Sequence, residues 1–150
     1  MLKLQALFRA EITLSPAQEL GESPQGRRRI IPITGGTFSG DRLSGRVLPG
    51  GADWQVIRRD GVADLDARYT LETTDGALIY VRNKGYRHGP KEVLDRVAAG
   101  HDVDPSLYYM RATPWFETGD PRYAWINGIV CVATGARRAA AVELDVFEVK

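Results

Sequence analysis

Between Gly35 and Trp54 the chain reads GGTFSGDRLSGRVLPGGADW, which holds six of its sixteen glycines: Gly35, Gly36, Gly40, Gly45, Gly50 and Gly51. Glycine concentrates where the backbone turns, bulges or passes close to another backbone, because other residues cannot take those conformations cheaply. The residues between the glycines, Thr37, Phe38, Leu43, Val47 and Leu48, favour strands. Short strands bent sharply between turns are what a sheet needs to curl into a barrel. The stretch ends in Gly51-Ala52-Asp53-Trp54, a carboxylate beside an indole at the start of a strand, and a pocket rim can use both.

The flanking sequence agrees with a barrel. From Leu2 to Leu14 the even positions are apolar and the odd ones mostly polar, a period of two that predicts a long strand with one buried face. Ser15 to Gly26 is a polar loop, and Arg27 to Thr34 a second strand in which Pro32 marks an edge or bulge. Gln55 to Arg58 extends a strand from Trp54, and Asp60-Gly61 is a turn. Val62 to Thr73 alternates again and runs into Asp75-Gly76, a dipeptide suited to a two-residue type I′ hairpin. That loop would set Leu71 opposite Tyr80 and Arg68 opposite Asn83. One hairpin face would then carry Leu65, Tyr69, Leu71, Leu78 and Tyr80, the other Asp66, Arg68, Thr70, Glu72, Ile79 and Val81. The first face lines a filled barrel and the second a ligand-holding one; the sequence leaves both open. Pro90 to Ala99 reads as the one helix, with Pro90 at its first position, Gly100 as its cap, a Glu92–Arg96 pair, and Val93, Leu94, Val97 and Ala98 as its packed stripe. Strands are expected over Leu107–Phe116, Tyr123–Thr134 and Arg138–Val149, the last two joined at Gly135. Many short strands with one helix predict a single all-β domain over residues 1–150, a mainly antiparallel barrel with the helix packed against it.

At 150 residues the chain is long enough to bury a core without a metal or disulfide staple. Its net charge of +1 offers no footprint for nucleic acid or an anionic membrane, and the Arg27-Arg28-Arg29 run reads as the solvated start of a strand. No apolar run approaches the roughly 20 residues that span a bilayer, and the N-terminus lacks a signal-peptide pattern, so a cytoplasmic protein is expected. Cys131 is alone in an apolar strand and reads as a buried, inert thiol.

Recognised catalytic signatures are missing. Gly35 to Gly40 has the spacing of a phosphate loop, but Asp41-Arg42 follows where Lys-Ser/Thr belongs. His88 and His101 lack metal-ligand spacing. No cofactor and no metal is therefore expected. Three clusters remain. Asp53-Trp54 is either a backbone-capping carboxylate with a core indole, or part of a pocket. Asp66, Arg68 and Glu72 form either an exposed salt-bridged face or a desolvated grip on an anionic oxygen through Arg68. Trp115, Glu117, Trp125 and Asn127 are either an aromatic cap on the core or a pocket in which burial raises the Glu117 pKa for acid–base work.

Ile33-Thr34-Gly35-Gly36-Thr37-Phe38-Ser39-Gly40, Gly50-Gly51-Ala52-Asp53-Trp54, Asp66-Ala67-Arg68-Tyr69, Asp75-Gly76-Ala77, Phe116-Glu117-Thr118 and Tyr123-Ala124-Trp125-Ile126-Asn127 together resemble an uncharacterised bacterial and fungal family, domain of unknown function 3237, also called uncharacterised protein family 0311. The resemblance runs in order over nearly the whole chain. It implies a lipocalin-like or calycin-like barrel and carries over no catalytic role. The expected function is the handling of a small aromatic or enolisable anionic molecule. In the enzymatic reading, a cofactor-independent isomerase, cyclase or hydratase, Arg68 holds the oxyanion, Glu117 or Asp53 moves a proton, and Trp54, Tyr80 and Trp125 stack on the ring, with Asn127 also lining the site. The alternatives are a binding barrel without chemistry and a filled, oligomerising domain; a homodimer is an expected state for a small barrel.

Overall fold

The computed structural model spans residues 1–150. Its strands are β1 (Leu4–Leu14), β2 (Gln18–Ser23), β3 (Gly26–Ser39), β4 (Ser44–Val47), β5 (Ala52–Ile57), β6 (Ala63–Thr73), β7 (Leu78–His88), β8 (Tyr109–Glu117), β9 (Cys131–Arg137) and β10 (Ala141–Val149). One α-helix, α1 (Lys91–Ala98), follows β7, and 3-10 segments cover Pro105–Leu107, a single turn, and Pro121–Gly128, which is kinked at Tyr123. The pairings are antiparallel and close on themselves: β1–β10–β9–β8–β7–β6, then β4 and β5 end to end in one lane, then β3, which returns to β1. The result is a closed barrel of eight lanes, with β2 hanging as a flap on the outer half of β3. Pro32 falls where β3 exchanges its partner β2 for β1, so its missing N–H breaks no ladder. Gly36 shows why the glycine-rich stretch is needed: its φ is +135°, and a Cβ there would lie 2.1 Å from the Glu11 carbonyl oxygen.

Several sequence expectations need correction. The period of two in β1 is broken by a bulge, so that Leu7 and Phe8 are both buried. The hairpin between β6 and β7 has a three-residue loop: Gly76 N–H donates to Thr73 O, Gly76 has φ +91°, and Thr73 N–H donates to Ala77 O. This is a type I turn closed by a glycine bulge. It moves the register by one, to Leu71 opposite Ile79 and Arg68 opposite Arg82, and therefore turns every β7 side chain to the other face. Ile79 and Val81 point inward with Leu65, Tyr69 and Leu71; Leu78 and Tyr80 point outward with Arg68 and Glu72. Tyr123–Asn127 lies in a 3-10 segment rather than a strand, and β9 runs through Gly135 to Arg137 before the chain turns. The helix stands where expected, one residue shorter at each end, with a Lys91–Asp95 ion pair in place of Glu92–Arg96.

The interior is divided. At one end Phe8, Phe38 and Phe116 meet edge to face and pack with Leu71, Ile79 and Val81. Each such side chain contributes about 1.5–3 kcal/mol by leaving water. At the other end α1 lays Val93 and Val97 on Ala63, Leu65, Tyr108 and Met110. Polar side chains enter the barrel between these two clusters. No helix is long and apolar enough to cross a membrane.

Candidate functional site

Strand parity decides which polar groups the lumen receives. On β5, Asp53 and Gln55 share the inward face; on β7, Asn83 and Arg87 continue the inward series of Ile79 and Val81; Arg137 comes from the end of β9. Pairing sets Ile31, Asp53, Ala67 and Asn83 side by side across four lanes. Because Ala67 carries only a methyl group, it leaves space between Asp53 and Asn83. Nearer the rim lies a second row of Arg27, Ile57, Ala63 and Arg87. The space enclosed by the first row with Gln55, Arg87 and Arg137 is a cavity of about 60 Å³, bordered on its apolar side by Ile31, Tyr69, Met110 and Leu144. It has room for a few waters or the head of a small molecule, and is well below the roughly 150 Å³ that takes a benzene ring.

Asp53 is held in place by two donors. The β5–β6 ladder opens between the pairs Asp53–Ala67 and Val56–Asp64, and the freed Asp66 N–H donates to Asp53 Oδ1 at 2.9 Å. Gln55 Nε2 donates to Oδ2 at 3.1 Å. Arg29 Nη1 donates to Gln55 Oε1 at 3.0 Å, and Arg29 Nε to Glu19 on β2 at 2.9 Å. Arg29 thus fixes which end of the buried Gln55 amide faces the carboxylate. Burial raises the Asp53 pKa above its ordinary value, against the lowering effect of the Asp66 N–H, Gln55 and, at longer range, Arg87.

Opposite Asp53 the lumen presents groups with no protein partner. Asn83 is 7% exposed and its Oδ1 is buried without a donor. The Arg87 guanidinium has no hydrogen bond or ion pair, and burial, with Arg137 nearby, pushes its pKa down to about 10. Burial also raises the Tyr69 phenol. Arg137 Nη1 donates to the carbonyls of Arg138 and Ala141, and its pKa too is lowered by burial. Buried polar groups are normally satisfied, and an unpaired buried cation is costly. This set is arranged for an anionic or carbonyl oxygen. It contains no group of three His, Cys, Asp or Glu side chains able to hold a metal ion.

Of the residues singled out in the sequence, only Asp53 lies in the lumen. Arg68 is on the outer face, within ion-pair range of Asp66, and shares a shallow outer concavity with Trp54 and Tyr80. Glu117 is exposed. Trp125 lies partly buried under the Arg42 guanidinium at 4.2 Å, and Asn127 uses its amide on the Thr118 backbone. Trp115 points outward, 70% exposed. The cluster of Trp115, Glu117, Trp125 and Asn127 does not form a pocket because the segment expected to be a strand is a 3-10 turn. Gln55, Asn83, Arg87 and Arg137 were missed. The signal for Asn83 and Arg87 was their parity with Ile79 and Val81, which the two-residue turn would have reversed.

The profile of the family described as "Protein of unknown function (DUF3237)" matches residues 2–149. The chain belongs to that family. A UPF0311 protein of Rhodopseudomonas palustris is 43% identical over 148 residues, covering 99% of this chain and 97% of the relative. A β-barrel-like protein from Acinetobacter baumannii, solved as a crystal structure, is 49% identical with a TM-score of 0.88 over 100% of this chain and 97% of that one. A more distant relative, 26% identical over 131 residues (87% of this chain and 72% of the relative), is the hydroalkoxylation enzyme phnH of Penicillium herquei.

Proposed function

We propose that this DUF3237 barrel handles a small enolisable anion whose reactive head enters the lumen, with Asp53 as the proton carrier and Arg87 as the holder of the oxyanion. The observation that carries this reading is the half-buried Arg87 guanidinium, without hydrogen bond or ion pair, in the same cavity as the half-buried Asp53 carboxylate, whose pKa is raised. An Asp53 carboxylate that burial makes more basic takes a proton from carbon next to a carbonyl, leaving Asp53 protonated and the negative charge on the enolate oxygen at Arg87. Return of that proton to a different carbon completes an isomerisation. In the variant named by the fungal relative, a substrate hydroxyl gives its proton to Asp53 as its oxygen bonds to an alkene carbon, and the adjacent carbon receives the proton. Neither route consumes a cofactor. An aromatic portion of the substrate would stay outside, since the cavity is smaller than a ring.

A second reading, binding without turnover, is favoured by one observation: both Asp53 oxygens already accept hydrogen bonds. Deuterium exchange at C3 of 2-oxopentanoate in D₂O, followed by proton NMR, separates the two. Catalysed exchange that disappears in Asp53→Asn while the ligand still binds supports proton transfer. Binding with exchange no faster than in buffer supports the binding barrel, and no effect of Arg87→Met on affinity overturns both. Arg68→Ala, altering an outward side chain, is expected to change affinity by less than about twofold.

A further inference from the structure

Beside the lumen, and sharing Arg87 and Arg137 with its lining, lies a second, wider space of about 580 Å³, between the start of β3, the turn after β5, the end of β7 and α1. Six cations line it: Arg27, Arg29, Arg59, Arg87, Lys91 and Arg137. Against them stand Asp60 and Asp95, and both are engaged. Asp60 is gripped by Arg58 through both oxygens and also accepts the Val62 N–H, while Asp95 pairs with Lys91. Arg29 is tied to Glu19 and Gln55. Arg27, Arg59, Arg87 and Arg137 remain without an ion-pair partner, Arg137 donating only to backbone carbonyls. The whole chain carries only +1, so this concentration of positive charge is local rather than a consequence of composition. His88, also on the rim, stacks on Tyr109 at 4.8 Å and is turned to that contact.

The Arg27-Arg28-Arg29 run explains how the sequence builds the ring. Arg28 points outward and donates to Trp54 O, whereas Arg27 and Arg29 share the inward parity of Ile31 and Ile33. They follow the apolar lining to the point where the barrel opens. We infer that this vestibule is a second binding subsite, for an anionic group at the far end of the molecule whose head enters the lumen. On the reading given above, which this inference depends on, the substrate class is therefore an enolisable acid bearing a distal carboxylate or phosphate. The volumes agree: the lumen accepts a head group only, and the vestibule lies within the roughly 300–1,000 Å³ range of ordinary ligand pockets. Like charges facing a concave, partly dry surface also raise the local concentration of anions and speed their capture.

The test uses acids that share one head: 2-oxopentanoate, 2-oxoglutarate and 2-oxoadipate, titrated into the ¹⁵N-labelled chain at low ionic strength. The Asn83 side-chain amide reports the lumen, and the Gly61 and Gly89 amides report the vestibule. The inference expects at least one diacid to bind about tenfold more tightly than the monoacid, with Gly61 and Gly89 shifting only for diacids. Salt at about 1 M should erase most of the advantage. The double variant Arg27→Ala/Arg59→Ala, which alters two exposed side chains, should bring the diacid down to the affinity of the monoacid. Equal affinities, or a diacid advantage that survives the double variant, overturn the vestibule while Asn83 shifts keep the lumen reading alive. Shifts at Gly61 and Gly89 that depend on Arg27 and Arg59 but never reach Asn83 do the reverse: they support an anion subsite and overturn the lumen reading. A phosphate source is separated from a carboxylate source by 4-phosphonobutanoate and inorganic phosphate; saturable shifts with phosphate alone, lost in the double variant, assign the subsite to phosphoryl groups. No shift with any of these probes overturns the inference.

Discussion

Replacing Arg87 with methionine should make the protein more stable. The side chain keeps a similar length and its apolar stem but loses a half-buried charge that makes no ion pair and feels Asp53 only at longer range. Burial, with Arg137 nearby, lowers the Arg87 pKa to about 10, so the site disfavours the charged form. Set against the ordinary arginine value, this corresponds to about 3 kcal/mol at about 1.4 kcal/mol for each unit. Arg87 is not fully enclosed and water in the adjoining cavity softens the penalty, so the expected gain is about 1–3 kcal/mol. For a domain of this size each kcal/mol moves Tm by about 2–4 °C. Calorimetry and urea denaturation of Arg87→Met beside the wild type measure it directly. The pH dependence follows from the sign of the shift. A basic group whose folded pKa is lowered destabilises the fold below that value, and the penalty fades as pH rises through about 10 toward the unfolded value. The advantage of Arg87→Met should therefore be flat from about pH 6 to 9 and shrink above it. A variant less stable than wild type by about 1 kcal/mol or more would mean that the guanidinium is satisfied in the folded chain, and the argument for an anion site would fail with it.

Three further outcomes are expected. Gly36→Ala puts a Cβ 2.1 Å from the Glu11 carbonyl at a φ of +135°, so β1 and β3 must separate; a loss of about 4 kcal/mol or more, or failure to fold, should appear in calorimetry. The Cys131 thiol is buried and pushed up to about 11, so labelling by a thiol reagent at about pH 8 should proceed only at the rate of unfolding; fast labelling of the folded chain would contradict its placement. Asp75 accepts hydrogen bonds from Thr73 and Tyr123 and pairs with Arg122, which together lower its pKa. Its contribution is present above the unfolded carboxyl value and lost as pH falls through the folded one, so urea midpoints of wild type and Asp75→Asn should converge toward acid pH.

Which face of the β6–β7 hairpin lines the lumen comes down to one residue in one turn. Alternation in β1 and β6, the glycines that let β1 and β3 approach, and the Pro90 and Gly100 limits of α1 are local signals, and local signals carried the barrel and its helix. The lining of that barrel depends on register, which is not local. Asp-Gly suits both a two-residue loop and a three-residue loop with a glycine bulge. Thr73 favours the second, because its Oγ1 accepts the Ala77 N–H and donates to Asp75 across the longer loop. With the one-residue shift, Tyr80 leaves the lumen, and Asn83 and Arg87 enter it. Asp53 escaped this dependence because its place is set on β5, where it shares a face with Gln55. Once Asn83 and Arg87 are turned inward, the arginines of β3 acquire a purpose that composition could not reveal. Two of them, Arg27 and Arg29, continue the lining outward from Ile31, so a run that reads as solvated charge becomes the rim of the opening through which an anion would pass.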